Sequence, residues 1–323
     1  MSSSTFPPHD FSSRPSSNLD VIIIGAGAAG LSAALWCDEL NLKTNLFEAS
    51  PEAGGQLLRI YNPIKNHLGA DTENGRQMLD IFMRQIQNRA FELRLDTPIV
   101  QSDLVNKQVF LSNGEHIRAR SLILATGVRR RQLNVPGEDE FKGRGVLESG
   151  ARDYQTVAGK IVCVVGGGDA ACENALILAE VAAQIYLVHR GSSFSARREF
   201  VEKVRSHPRV KVYFESQIVK ISGREQVESV EVKSLNQESF QIEVDAVLIR
   251  IGVTPNTELF RQQIKLDSSS YILIDSAGQA SVENVFAIGD VASPLSPTIS
   301  TAVGMGATAA KTLAQKLKSK SQH

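Results

Sequence analysis

Three stretches of this chain carry residue types suited to holding phosphate-bearing cofactors. Gly25-Ala26-Gly27-Ala28-Ala29-Gly30 follows a wholly apolar, β-branched run, Val21 to Ile24, and leads into Leu31 to Leu40. The spacing uses glycine for three purposes: a tight turn, the close approach of a pyrophosphate, and close packing of helix on strand. A helix opening there offers unpaired N–H groups and a partial positive charge to the phosphates. Eighteen residues past Gly30, Glu48 ends the next strand, Thr44 to Phe47, near the distance expected of an acid that accepts from a ribose hydroxyl.

The unit recurs. Lys160 to Val165 reads as a strand, Gly166-Gly167-Gly168-Asp169-Ala170-Ala171 as its loop and Cys172 to Val181 as the helix, with Ala171 in the third glycine's place. The next strand, Gln184 to Val188, ends in His189-Arg190 rather than in an acid, and Arg197-Arg198 follow shortly. An acid would repel a 2′-phosphate and an arginine accommodates one, so this site is expected to favour NADPH over NADH. A third apolar strand, Asn284 to Ile288, ends in Gly289-Asp290, which sets a carboxylate beside backbone that another group can approach closely. Two dinucleotide folds about 140 residues apart imply two bound nucleotides, most naturally a flavin and a nicotinamide.

The elements that position these residues need room, and 323 residues suggest about two domains. Hydrophobic residues make up 42% and charged residues 22%, which sets aside collagen-like, coiled-coil and wholly disordered readings. Lys+Arg and Asp+Glu are equal at 35 each, so no basic excess drives binding to nucleic acid or to an anionic membrane. Cys37, Cys163 and Cys172 form neither a disulfide framework nor a metal cluster. Residues 1–18 are Ser- and Pro-rich and are expected to be a disordered tail, without the pattern of a secretory signal. The longest apolar stretch, Val21 to Trp36, falls short of the roughly 20 residues of a membrane span, so a cytoplasmic protein is expected.

In combination, Gly25 to Gly30, Gly54-Gly55-Gln56, Ala125-Thr126-Gly127, Gly166 to Ala171 and Phe286-Ala287-Ile288-Gly289-Asp290-Val291 resemble the low-molecular-weight thioredoxin reductases of the pyridine nucleotide–disulfide oxidoreductase superfamily. The likeness runs from about Asp20 to Leu317. It implies FAD at the first site, held by Gly25, Gly27, Gly30, Glu48, Gln56, Asn66, Thr126, Gly127, Gly289, Asp290, Thr298 and Ile299. It implies NADPH at the second, held by Gly166, Gly168, Asp169, Ala171, His189, Arg190 and Arg197. Asp290 would bond the flavin's ribityl chain. A closing helix, Ile299 to Leu317, would aim its N-terminus at the pyrimidine edge and stabilise the charge of a reduced flavin.

The implied fold is α/β, with two Rossmann-like nucleotide-binding domains. A three-layer FAD domain spans 19–127 plus 253–320, and an NAD(P)H domain is inserted at 128–252, with Thr126-Gly127 and Ile251-Gly252 as the crossings. A homodimer, and rotation of one domain against the other, are implied by the resemblance alone.

One part of the resemblance is missing. Counting back from Gly166, the redox-active C-x-x-C of such reductases falls on Ser149-Gly150-Ala151-Arg152, with the neighbouring acid kept as Asp153. Neither serine nor arginine cycles through a disulfide. Arg152 brings a fixed charge that could stabilise a reduced flavin or hold an acidic acceptor. Of the remaining thiols, Cys172 is the one expected near a helix start, where the dipole lowers a thiol's pKa.

The expected activity is hydride transfer from NADPH to flavin, then to an acceptor not reached through a protein disulfide. A small electron carrier of ferredoxin or flavodoxin type is the first choice. A low-molecular-weight disulfide, a quinone, oxygen, thioredoxin reduced through its own cysteines, and a flavin-binding redox sensor without turnover stay open.

Overall fold

The computed structural model describes residues 19–234 and 237–319. The expected tail, 1–18, lies outside the described residues. Two compact units emerge: one runs to Arg129 and resumes at Pro255, and the other is Arg130–Thr254.

In the first unit, Leu19–Ile24 is the middle of a parallel sheet. Its order is Glu92–Arg94, Thr44–Phe47, Leu19–Ile24, His116–Leu124, Val285–Ala287. The long strand His116–Leu124 serves two partners. Its C-terminal half pairs in parallel with Val285–Ala287, and its N-terminal half pairs antiparallel with Gln108–Leu111, which leads to Ile99–Asp103.

This arrangement explains the unbroken apolar run. Val21 and Ile23 face a core shared with the helices Ala28–Glu39 and Ile299–Ser319, while Ile22 and Ile24 face a second core with Leu104, Val109 and Phe260. All four side chains are buried, each contributing roughly 1.5–3 kcal/mol of hydrophobic stabilisation.

The second unit repeats the plan. Its parallel sheet runs Val210–Tyr213, Gln184–Val188, Ile161–Val165, Ala246–Ile249, Val146–Leu147. Val162 and Val164 pack under the helix Asp169–Ala179. Cys163 and Val165 face an antiparallel sheet formed by Ser216–Gly223, Val227–Ser234 and Gln237–Glu243.

Both helices start earlier than the sequence pattern suggests, at Ala28 rather than Leu31 and at Asp169 rather than Cys172. Gly27 and Gly168 are the N-caps, so the second half of each glycine motif already has helical backbone. The chain passes between the units through the paired strands Val128–Arg130 and Val253–Pro255, and Gly127 (φ +63°) and Gly252 (φ +89°) stand immediately before them. A β-carbon at either glycine would have no neighbour within 4 Å, so its backbone angle alone makes glycine the fitting residue there.

Candidate functional site

The three glycines of the first motif answer to different demands. A β-carbon on Gly25 would lie 2.4 Å from the Ala125 carbonyl oxygen, and one on Gly30 would lie 1.9 Å from that of Gly25. Those two are required by the protein's own packing. Gly27 is not: its nearest neighbour would be the Gly54 oxygen at 4.0 Å. No side chain caps the helix that begins there. Bare backbone and uncapped N–H groups at one point form a cradle for an anion such as a pyrophosphate.

Groups fit to hold the rest of a dinucleotide lie around the first cradle. Glu48 accepts from the N–H groups of Ala26 (2.9 Å) and Ser50 (3.0 Å), one on each carboxylate oxygen, which fixes the side chain beside the loop. Gln56 donates to the Val128 carbonyl at 2.6 Å. Thr126 and Asn256 exchange bonds, each side chain reaching the other's carbonyl at 2.7 Å. Gly289, at φ +70°, lies against Ala29 of the first helix, where a β-carbon would meet its methyl at 2.8 Å.

The next residue, Asp290, is half-buried, and burial raises its carboxyl above the ordinary carboxylate range. No donor among the described residues reaches it, so it is an acceptor suited to an incoming hydroxyl. Thr298 caps the closing helix by accepting from Thr301 N–H at 3.1 Å, with Ile299 as the first helical residue. Asn66 is exposed on the loop before His67, which bonds Ser300 Oγ at 3.1 Å.

The second motif divides in the same way. A β-carbon on Gly166 would sit 2.1 Å from the Arg250 oxygen, whereas Gly168 would meet only Ser195 Oγ at 3.7 Å. Ala171 is fully buried in the core. Gly167 makes room for the His189 ring, which stacks on Phe194 and has its pKa lowered, chiefly by burial. Arg190 is exposed at the strand end. Arg197 is engaged elsewhere: its backbone N–H and its Nε bond Asp169 at 2.7 and 2.9 Å, and its Nη1 pairs with Glu199 at 3.0 Å. Asp169 is held below the ordinary carboxylate range by these bonds.

The thiols behave as core residues. All three are buried and free. Burial pushes Cys37 and Cys163 up to about 12 and Cys172 up to about 11, with nearby Asp169 adding to the rise at Cys172. The expected lowering of Cys172 by the helix dipole is therefore reversed, because desolvation outweighs it.

Ser149 is the N-cap of a short helix, Gly150–Asp153. Asp153 Oδ2 accepts from the N–H groups of Glu148 (2.7 Å) and Ser149 (2.9 Å), and Oδ1 lies 3.9 Å from Arg152 Nε. The Glu148 carbonyl accepts at 2.5 Å from both Arg130 and Arg250. Sequence reasoning passed over Glu148, Arg130 and Arg250. Arg250 did leave a signal: it is the lone charge in the apolar run Ala246 to Ile251.

Two glycine cradles at the carboxyl ends of parallel strands, each in its own α/β unit, have the form of dinucleotide-binding sites. Residues 19–306 match the family model described as pyridine nucleotide-disulphide oxidoreductase, and the chain belongs to that family. It is 36% identical over 300 residues to the thioredoxin reductase of Treponema pallidum (strain Nichols), covering 90% of this chain and 94% of that one. The solved thioredoxin reductase of Lactococcus lactis, in its FR conformation, matches with a TM-score of 0.81 at 26% identity, over 94% of this chain and all of the other. The bacillithiol disulfide reductase of Bacillus cereus shares the fold, with a TM-score of 0.76 at 20% identity over 93% of this chain and all of that one. The protein is a flavoprotein oxidoreductase of thioredoxin-reductase-like fold.

Proposed function

We propose that the first cradle holds FAD, the second holds NADPH, and electrons leave for an acceptor outside the chain without passing through a protein dithiol. When bound, the two cofactors would supply hydride transfer from nicotinamide to flavin. The observation that carries this reading is the state of the cysteines: all three are buried, burial pushes their thiols up to about 11 or 12, and none has C-x-x-C spacing.

Gly27 and the N–H groups after it would take the flavin nucleotide's pyrophosphate, Glu48 its ribose and Asp290 its ribityl chain. Gln56, Asn66, Thr126 and Gly127 would lie along the flavin, with Thr298 and Ile299 at its pyrimidine edge. Gly168 would take the second pyrophosphate and Arg190 the 2′-phosphate. We place the enzyme in the cytoplasm as a homodimer, with a small electron carrier of ferredoxin or flavodoxin type as acceptor.

A second reading, a thioredoxin or small-disulfide acceptor, draws on the 36% identity to a thioredoxin reductase. An acceptor screen following NADPH consumption decides between them. Turnover with a ferredoxin or flavodoxin and none with disulfides supports the first reading, and the reverse result overturns it. Failure of NADPH to bleach the flavin in a stopped-flow experiment overturns both.

A further inference from the structure

The strand ends of the second unit form an ordered edge. Because its five strands are parallel, their carboxyl ends lie in the sheet's own order: Phe214, His189, Gly166, Arg250, Glu148. From Ile161–Val165 the chain winds outward through Gln184–Val188 to Val210–Tyr213. Ala246–Ile249 and Val146–Leu147 lie on the opposite side. The winding therefore reverses beside Gly166, and a dinucleotide straddles such a point.

A dinucleotide with its pyrophosphate at Gly168 and its adenosine half toward His189 and Arg190 would have its other half over Arg250 and the turn 148–153. That end is built from charges. Arg250 is half-buried; its backbone N–H bonds the Val165 carbonyl at 2.7 Å, and its guanidinium bonds the carbonyls of Ile249 (2.9 Å) and Glu148 (2.5 Å). Arg130 joins it on the Glu148 carbonyl and pairs with the Glu148 carboxylate at 3.2 Å, and Arg152 lies beside Asp153. Burial and the neighbouring Arg130 lower Arg250 to about 10, which leaves it charged at neutral pH. The Arg250 guanidinium donates to carbonyl oxygens, those of Ile249 and Glu148, so it brings a positive charge to this end of the sheet.

The two redox states of nicotinamide differ in charge: the oxidised ring is a cation and the reduced ring is neutral. We infer that Arg250 and the charged turn beneath it make this site select the reduced nicotinamide over the oxidised one, so that the spent cofactor is repelled as it forms. The inference rests on the proposed nicotinamide site and adds to it a specificity for redox state. Arg250 acts here as a positioning and charge-bearing residue for the turn, and no covalent step is assigned to it.

The test titrates the FAD-loaded protein by calorimetry with two probes. One is NADP⁺; the other is tetrahydro-NADP, whose ring is neutral and gives up no hydride. Wild type is expected to bind the neutral-ring probe about three- to tenfold more tightly, the size of one screened charge at short range. Arg250→Gln should bring that ratio toward one by strengthening NADP⁺ binding, and Arg250→Lys should keep it. Raising the salt from about 0.05 to 0.5 M should shrink the wild-type ratio, a measurement that needs no variant to fold. A ratio unmoved by both Arg250→Gln and salt overturns the inference alone. If neither probe binds a protein that still carries FAD, the nicotinamide site falls with it.

Discussion

Gly27 and Gly25 stand two residues apart in one loop and should fail in different ways when changed. Gly25 sits at φ +103°, with a β-carbon forced to 2.4 Å from backbone, so Gly25→Ala should cost about 2 kcal/mol or more of stability and lower Tm. Gly27→Trp has open space around its β-carbon, so it should fold with a near-normal melting curve yet purify colourless, its side chain lying in the pyrophosphate's path. Equal flavin content in wild type and Gly27→Trp would remove the first cradle from the site.

Arg190 and Arg197 separate similarly. Arg197 is tied to Asp169 and Glu199, so NADPH preference should disappear in Arg190→Ala and persist in Arg197→Ala, read as the ratio of kcat/KM for NADPH and NADH. One charge-assisted contact on an exposed arginine corresponds to roughly tenfold. Loss of preference on Arg197→Ala alone would reassign the 2′-phosphate.

Cys163 gives a pH prediction. Its thiol pKa is raised from 9.0 to about 12, so burial favours the neutral form. The corresponding stability is present below about pH 9 and is lost as pH rises toward about 12, at about 1.4 kcal/mol per pH unit. Denaturant unfolding between pH 8 and 10.5 should show wild type losing stability more steeply than Cys163→Ala. Parallel curves would contradict this.

At the scale of elements, the closing helix Ile299–Ser319 and the first helix, Ala28–Glu39, approach backbone to backbone. A β-carbon on Gly306 would fall 2.8 Å from both the Ala29 oxygen and the Ala33 nitrogen, and Ser32 Oγ donates to the Val303 carbonyl at 2.8 Å. Gly306→Val should therefore push the helices apart, lowering Tm and flavin content together, by about 3 kcal/mol or more. A variant that melts like wild type would show the helices free to separate.

The helix itself was legible through the resemblance, and so were the strands Val21–Ile24 and Gln184–Val188, the first because a wholly apolar run reports burial directly. What the sequence withheld are contacts between residues far apart in it. Nothing local marks His116–Leu124 as a strand shared by two partners. Nor does Glu148, among ordinary loop residues, announce that two arginines about 20 and 100 positions away converge on its carbonyl. The strand before and the helix after each glycine motif are legible in the sequence, but not that the second half of each motif is itself helical. That Gly27 and Gly168 alone stand clear of the protein's own packing emerged only in three dimensions.

For the molecule as a whole, the second unit is one continuous segment with two cores of its own. Residues 130–254 expressed alone should fold cooperatively and bind NADP⁺ without flavin, as followed by circular dichroism and calorimetry. A segment that stays unfolded would tie its stability to the rest of the chain.

The first unit has no such independence in time. Its central strand is made first, but the strand beside His116–Leu124, the Gly289 that seats on Ala29, and the helix that covers Ala33 are all made after residue 284. During synthesis, then, the inserted unit can complete itself on the ribosome while the earlier half waits with one face of its sheet uncovered. The first cradle becomes whole only once Gly289 and the helix Ile299–Ser319 have packed on Ala28–Glu39.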